Sequence, residues 1–350
     1  MRRAAVVVAA LATLTACGPS PSAAPSSSVP TGTSSVTTSG TASTSSAAVL
    51  AKPIVTRFGA LKVGVGRAAV IPQQDGGQHV IIAGGLIVGD STTNAAQIVD
   101  LATGQTLLLP PMPVPVHDTA GLQSPLGPLV IGGGNSSEQS VVQQFTQTKN
   151  GPNTGSWKVI GNLPSTRSDL AAAAVTPMTY GGKGYVLGGY DAVTPAVRTV
   201  LSTSNGVTWT SAGTLAVPVR YGAPAVSAGK IYLFGGEVSN LEQSVIQAYD
   251  PATGRTHIVG HLPMALGHMS AVAVGEKILV LGGRTDATSG AMTDQMWWFD
   301  PATATLTDAG RLPYPVADAA LTVMGNNAFL IGGESPHPIT TILRIAFTKE

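Results

Sequence analysis

Lys230-Ile-Tyr-Leu-Phe-Gly-Gly236, followed closely by Ala248-Tyr-Asp-Pro-Ala-Thr-Gly254, is the most legible stretch of this chain. The first apolar run reads as a strand buried on both faces, and it stops at two adjacent glycines that allow positive φ and close backbone approach. The second run stops at Asp-Pro-Ala-Thr-Gly, where Asp caps a type I turn and Gly takes the left-handed position of a hairpin. The unit is therefore strand, tight end, strand, hairpin.

That unit recurs. Glycine pairs stand at Gly84-Gly85, Gly132-Gly133, Gly188-Gly189, Gly235-Gly236, Gly282-Gly283 and Gly332-Gly333, spaced by 48, 56, 47, 47 and 50 residues. This is the period of a β-propeller blade. Ile98-Val-Asp-Leu-Ala-Thr-Gly104 and Trp298-Phe-Asp-Pro-Ala-Thr-Ala304 repeat the hairpin, and each is followed by a strand that ends in Leu-Pro, as at Leu109-Pro110 and Leu312-Pro313. Small-residue strands come next, such as Asp169-Leu-Ala-Ala-Ala-Ala-Val175, Met269-Ser-Ala-Val-Ala-Val274 and Asp318-Ala-Ala-Leu-Thr-Val323. Alanine suits an innermost strand where blades converge on a narrow channel.

The order of small innermost strand, Lys230-Ile-Tyr-Leu-Phe-Gly-Gly236, Tyr249-Asp-Pro-Ala-Thr-Gly254 and a strand ending in Leu-Pro resembles the kelch repeat of the galactose oxidase central-domain superfamily. The resemblance covers about residues 53–350. Blade two lacks the Asp-Pro turn, and blade three replaces it with Ser202-Thr-Ser-Asn-Gly-Val-Thr-Trp209. That octapeptide is similar to the Asp-box of sialidases with Ser204 in the Asp position, and it argues for a hairpin only. After Gly333 only Thr340-Thr-Ile-Leu-Arg-Ile-Ala-Phe347 is left, enough for one strand, so Ile54-Val-Thr-Arg-Phe-Gly-Ala-Leu61 is expected to supply the missing outer one. The expected fold is all-β: a six-bladed propeller of four-stranded antiparallel blades over residues 49–350, its last blade closed by the N-terminal strand.

The N-terminal segment carries an address. Arg2-Arg3 precede an apolar stretch too short to span a bilayer, and Leu14-Thr-Ala-Cys17 resembles the bacterial lipobox. Residues 1–16 are expected to be a lipoprotein signal peptide, with Cys17 carrying a diacylglyceryl group whose two acyl chains, palmitate among them, give the stable anchoring that a single chain cannot. Cys17 is the single cysteine of the chain, which excludes an intramolecular disulfide. Residues 17–48 are Ser-, Thr- and Pro-rich without a charge or an aromatic, the composition of a disordered tether reaching on the order of 30 Å. The expected location is the extracytoplasmic side of a cell membrane.

Charged residues make up 11% of the chain and balance to +1, with no basic stripe, so a nucleic-acid partner is not expected. In so uncharged a chain the ionisable side chains gather at two recurring places. Just ahead of the innermost strands stand Arg67, Asp118 beside His117, Asp169 beside Arg167, Tyr221 beside Arg220, His268 and Asp318. Just after the glycine pairs stand Asn135, Tyr190, Glu237, Arg284 and Glu334. Both places belong to one face of an up-and-down blade, so these residues are expected to ring the channel mouth. In kelch propellers that face is a frequent ligand and partner site, which is what the resemblance implies here.

Other clusters read as structure. His257 and His261 fall on a strand, where a spacing of four does not make a helical metal-ligand face, and Asp286–Asp294 lacks the alternating acidic pattern of a calcium loop. No metal or cofactor is expected. Three roles fit the sequence: a monomeric envelope module binding a glycan or protein, a carbohydrate-active enzyme, or a structural envelope protein. Kelch propellers resemble the catalytic domains of galactose oxidase and N-acetylneuraminate epimerase. The copper chemistry of the former needs a tyrosine crosslinked to cysteine, and residues 52–350 contain no cysteine. An epimerase or lyase would draw on Glu237, Glu334, His268, Asp318 and Arg284. The binding module is the leading reading, and no catalytic residue is assigned.

Overall fold

The computed structural model of the protein describes residues 52–347. The expectations for the signal peptide, for Cys17 and for the tether lie outside the described residues.

Six four-stranded antiparallel sheets follow one another. The fourth blade, for example, runs Ala223–Ser227, Lys230–Phe234, Val245–Asp250 and Arg255–His261 from the inside outward. The sixth takes its three inner strands from Ala320–Met324, Asn327–Ile331 and Thr341–Ala346, and its outermost from Ile54–Ala60. Ile54 pairs with Ala346 and Ala60 with Thr341, so the two ends of the described chain are zipped into one sheet as expected.

Alternation explains why the second strands read as unbroken apolar runs. Val80 and Ile82 point to the sixth blade, in a cluster with Phe329, Ile331 and Ile342, while Ile81 and Ala83 point to the second, in a cluster with Val130, Phe145 and Trp157. One such cluster fills each of the six blade junctions. The core is therefore a closed ring of six interfaces rather than one centre.

The glycine pairs staple neighbouring blades. The amide of each second glycine donates to a carbonyl ahead of the next blade's innermost strand at 2.8 Å: Gly85 to Val116, Gly133 to Arg167, Gly189 to Val219, Gly236 to Leu266, Gly283 to Val316 and Gly333 to Val65. At Gly235-Gly236 the φ values are 54° and 99°, and a Cβ on Gly236 would stand 2.2 Å from Val219 Cγ2. Only glycine meets both demands.

A second staple was not visible as a motif. Gln97, Gln143 and Gln247, equivalent buried residues of three third strands, use their amides to clamp Val63, Val114 and Val217, each on the segment leading from the previous blade. At the hairpins, Asp100, Asp250 and Asp300 accept from the amides of Ala102, Ala252 and Ala302, as expected for the turn. In blade three Thr203 and Asn205 perform the same task within the Ser202–Trp209 stretch. Among the described residues no helix is long and apolar enough to cross a membrane.

Candidate functional site

Six residues ahead of the innermost strands adopt the left-handed conformation without being glycine: Arg67, Asp118, Asp169, Tyr221, His268 and Asp318, with φ between 50° and 58°. Each costs about 1–2 kcal/mol in this region. The return is a closed circle of backbone hydrogen bonds. Asp118 donates to Arg67, Asp169 to Asp118, Tyr221 to Asp169, His268 to Tyr221, Asp318 to His268 and Arg67 to Asp318, at 2.9–3.2 Å. The conformation turns all six side chains toward the axis, where they form a polar girdle.

The expected second ring joins it. Short β-bridges tie the two places of every blade together: Gly66 with Leu86, His117 with Gly134, Ser168 with Tyr190, Arg220 with Glu237, Gly267 with Arg284 and Ala317 with Glu334. Glu237, Arg284 and Glu334 thereby stand over His268 and Asp318, and Tyr190 stands beside Arg220. Asn135 and His117 lie at the edge; His117 Nδ1 meets Thr92 Oγ1 at 2.8 Å. Arg167 is turned away and buried, donating to the carbonyls of Gly188 and Thr199. His257 and His261 sit on the outermost strand of blade four, far from the girdle in topology.

Most of the ring's charges satisfy one another. His268 bridges two carboxylates, Nδ1 to Asp318 at 2.6 Å and Nε2 to Glu237 at 2.9 Å. Burial opposes its charge, yet Asp318 and Glu237 hold its pKa up to about 9. Burial likewise opposes the charge on Asp318, but His268, Arg67 and Arg284 hold it down to about 2. Arg67 Nε meets Glu334 at 2.9 Å and its Nη1 meets Asp118 at 3.4 Å. Arg284 is paired with Asp318 at 3.3 Å and, more closely, with Glu334. A His268 so engaged is an imidazolium strut, not a free base.

Two groups escape this lattice. Arg220 Nε lies 2.9 Å from Asp169 Oδ2, an ion pair too bent for a hydrogen bond, and among the described residues its guanidinium donates no hydrogen bond to a carboxylate, the phenol of Tyr221 being its other polar neighbour. Its guanidinium carbon lies over two aromatic rings, 5.0 Å from the centroid of Tyr190 and 4.8 Å from that of Tyr221, which in turn stacks on His268 at 3.7 Å. Asp169 is the other. Burial, together with the neighbouring carboxylate of Asp118, pushes it up to about 7 against the pull of Arg220.

Above the girdle is a polar cup of about 300 Å³ lined by Arg67, Arg220, Tyr221, Glu237, His268 and Arg284, with Asn240, Ala287 and Thr288 on its rim. Below it the channel widens to about 550 Å³ between alanine- and valine-rich innermost strands, without one ionisable residue in its wall. The larger space is thus apolar, and the chemistry lies in the smaller. Sequence reading gathers these residues at one face and counts Arg67 and Arg284 among them without separating the engaged cations from the others. Arg220 stands only as a neighbour of Tyr221 there, because no local signal shows which of three arginines will find enough carboxylates.

No family model matches the chain. N-acetylneuraminate epimerase of Pasteurella multocida (strain Pm70) is 29% identical over 167 residues, a match covering 39% of this chain and 43% of that protein. The chain thus matches less than half the length of this curated relative. The solved structure titled "Structure of YjhT" superposes with a TM-score of 0.67 at 14% identity, over 83% of this chain and 99% of that one. The shared feature is the six-bladed β-propeller fold.

Proposed function

We propose that this chain is a lipid-anchored propeller on the extracytoplasmic face of a cell membrane whose channel mouth binds a small anionic, polyhydroxylated ligand of the sugar-acid class. The observation that carries the reading is Arg220. A guanidinium set over the rings of Tyr190 and Tyr221, donating no hydrogen bond to a carboxylate among the described residues and lining a 300 Å³ cup, is a fork for the carboxylate of a ligand. Around it Glu237, Asn240 and Thr288 offer partners to hydroxyl or amide groups. The distant similarity to N-acetylneuraminate epimerase supports a carboxylated amino sugar as the first probe.

Calorimetry with N-acetylneuraminate and with neutral N-acetylmannosamine tests this. The acid is expected to bind and the neutral sugar to bind at least about tenfold more weakly. Arg220→Ala should weaken the acid by about 1.5–3 kcal/mol, the range of a hydrogen bond to a charged group. Equal affinity for both sugars would remove the anion reading.

A second reading, acid–base turnover at the same mouth, is favoured by the activity named for the curated relative and by Asp169, which titrates near neutrality. Proton NMR of the sugar incubated with a catalytic amount of protein separates turnover from binding.

The anchor rests on Leu14-Thr-Ala-Cys17. Cys17→Ala should leave a folded propeller that no longer sediments with membranes. Unchanged sedimentation, with no acyl mass on wild-type Cys17, would refute it.

A further inference from the structure

Arg220 and Asp169 form a bridge between the ligand cup and the girdle. Arg220 lines the cup and approaches Asp169 most closely through Nε, at 2.9 Å. Among the described residues the surroundings of Asp169 supply no second cation to it. From blade two comes Asp118, which already accepts from Tyr221 Oη at 3.1 Å and pairs with Arg67 at 3.4 Å. From blade four come Tyr221, an uncharged phenol whose pKa burial and the carboxylates Asp118 and Asp169 raise further, and Glu237, itself 3.8 Å from Arg220 Nε. His268 behind Tyr221 is committed to Glu237 and Asp318, and Ser168, the residue before Asp169, offers it an uncharged hydroxyl. One cation therefore serves a buried carboxylate that already faces another carboxylate.

We propose that Arg220 is the oxyanion anchor of the mouth and that a carboxylate landing on its outer nitrogens drives one proton from solvent onto the carboxyl of Asp169. This rests on the reading of the mouth as an anion site. The anion competes with Asp169 for the same guanidinium charge, and protonation relieves the competition. Charge balances: one negative charge arrives on the ligand, and one is removed as the Asp169 O–H bond forms. A cavity of about 140 Å³ lined by Asp169, Asp118, Tyr221, His268 and Asp318 gives that carboxyl an aqueous neighbour. Because Asp169 is already held at about 7, the exchange falls in the neutral range.

The sign follows from linkage. Well below pH 7 Asp169 is protonated before the ligand arrives, so no proton is taken up; above about pH 7 uptake rises toward one per ligand, and affinity falls by up to tenfold per pH unit. The test is calorimetry of the full chain carrying Cys17→Ala, titrated with N-acetylneuraminate at about pH 6, 7.5 and 8.5, each in two buffers of different ionisation heat. The expected result is negligible uptake at the lowest pH, uptake approaching one proton at the higher values, and loss of both uptake and pH dependence in Asp169→Asn. Wild-type binding without uptake, or unchanged uptake in Asp169→Asn, overturns the proposal while leaving the anion site standing. Absence of binding at every pH overturns the anion site and the proposal together. Should Asp169→Asn not fold, carbon-13 NMR of aspartate-labelled Cys17→Ala chain reads the same event: one carboxyl resonance moves to the protonated position when the sugar is added at about pH 7.5, and a spectrum that does not change overturns the proposal.

Discussion

Deleting residues 1–61 is expected to abolish cooperative melting, whereas deleting residues 1–48 leaves it essentially unchanged. The strand Ile54–Ala60 is the whole outer edge of blade six, and its loss exposes the outer edge of Thr341–Ala346 along its length. Leu61 is buried with Val65, Phe329 and Ile331 in the junction between blades six and one, and Phe58 meets Phe329 edge-on at 5.1 Å. Each such side chain contributes about 1.5–3 kcal/mol on burial. Several together approach the whole stability of a domain, about 5–15 kcal/mol. An open sheet edge is also a template for pairing with another copy. Differential scanning calorimetry and light scattering on the two truncations decide the matter: equal, reversible transitions would show that the ring does not depend on its closing strand.

Replacing His268 should be the most damaging single change at the mouth, with a loss of about 3–5 kcal/mol, the scale for removing one partner of a buried ion pair. Asn is the informative substitute, because it tolerates the left-handed backbone at φ 57° but carries no charge. Without the imidazolium, Glu237 and Asp318 lose their shared cation while remaining buried. The pH dependence checks the cause. The folded pKa of His268, about 9, lies above its ordinary value of 6.5, so its contribution is complete below pH 6.5 and is lost as pH rises through 9. Asp318, held at about 2 against an ordinary 3.8, contributes above pH 3.8 and loses that contribution as pH falls through 2. Urea midpoints of wild type should therefore decline between pH 6.5 and 9, and those of His268→Asn should be lower and flatter across that window. A loss under about 1 kcal/mol, or parallel slopes, would show that the bridge is not what holds the mouth.

The number of blades, the order of strands within them and the way the ring closes were all legible in the chain, because each is written locally. A buried strand between two buried neighbours is apolar throughout its buried positions, as in Ile278, Leu279, Val280 and Leu281; a staple between blades that needs positive φ must be glycine, as in Gly282-Gly283; a hairpin cap needs a short side-chain acceptor, as at Asp300. Such demands involve residues close in sequence, so they leave a pattern. The mouth was legible only as a list. Arg67, Asp118, Asp169, Tyr221, His268 and Asp318 are about fifty residues apart, and their partnerships depend on how a closed ring distributes five carboxylates among three guanidiniums and one imidazole. Tertiary structure alone decides that Arg67 and Arg284 are consumed by Glu334, Asp118 and Asp318 while Arg220 donates no hydrogen bond to a carboxylate among the described residues, because electrostatic pairing is settled by distance in space and carries no sequence period.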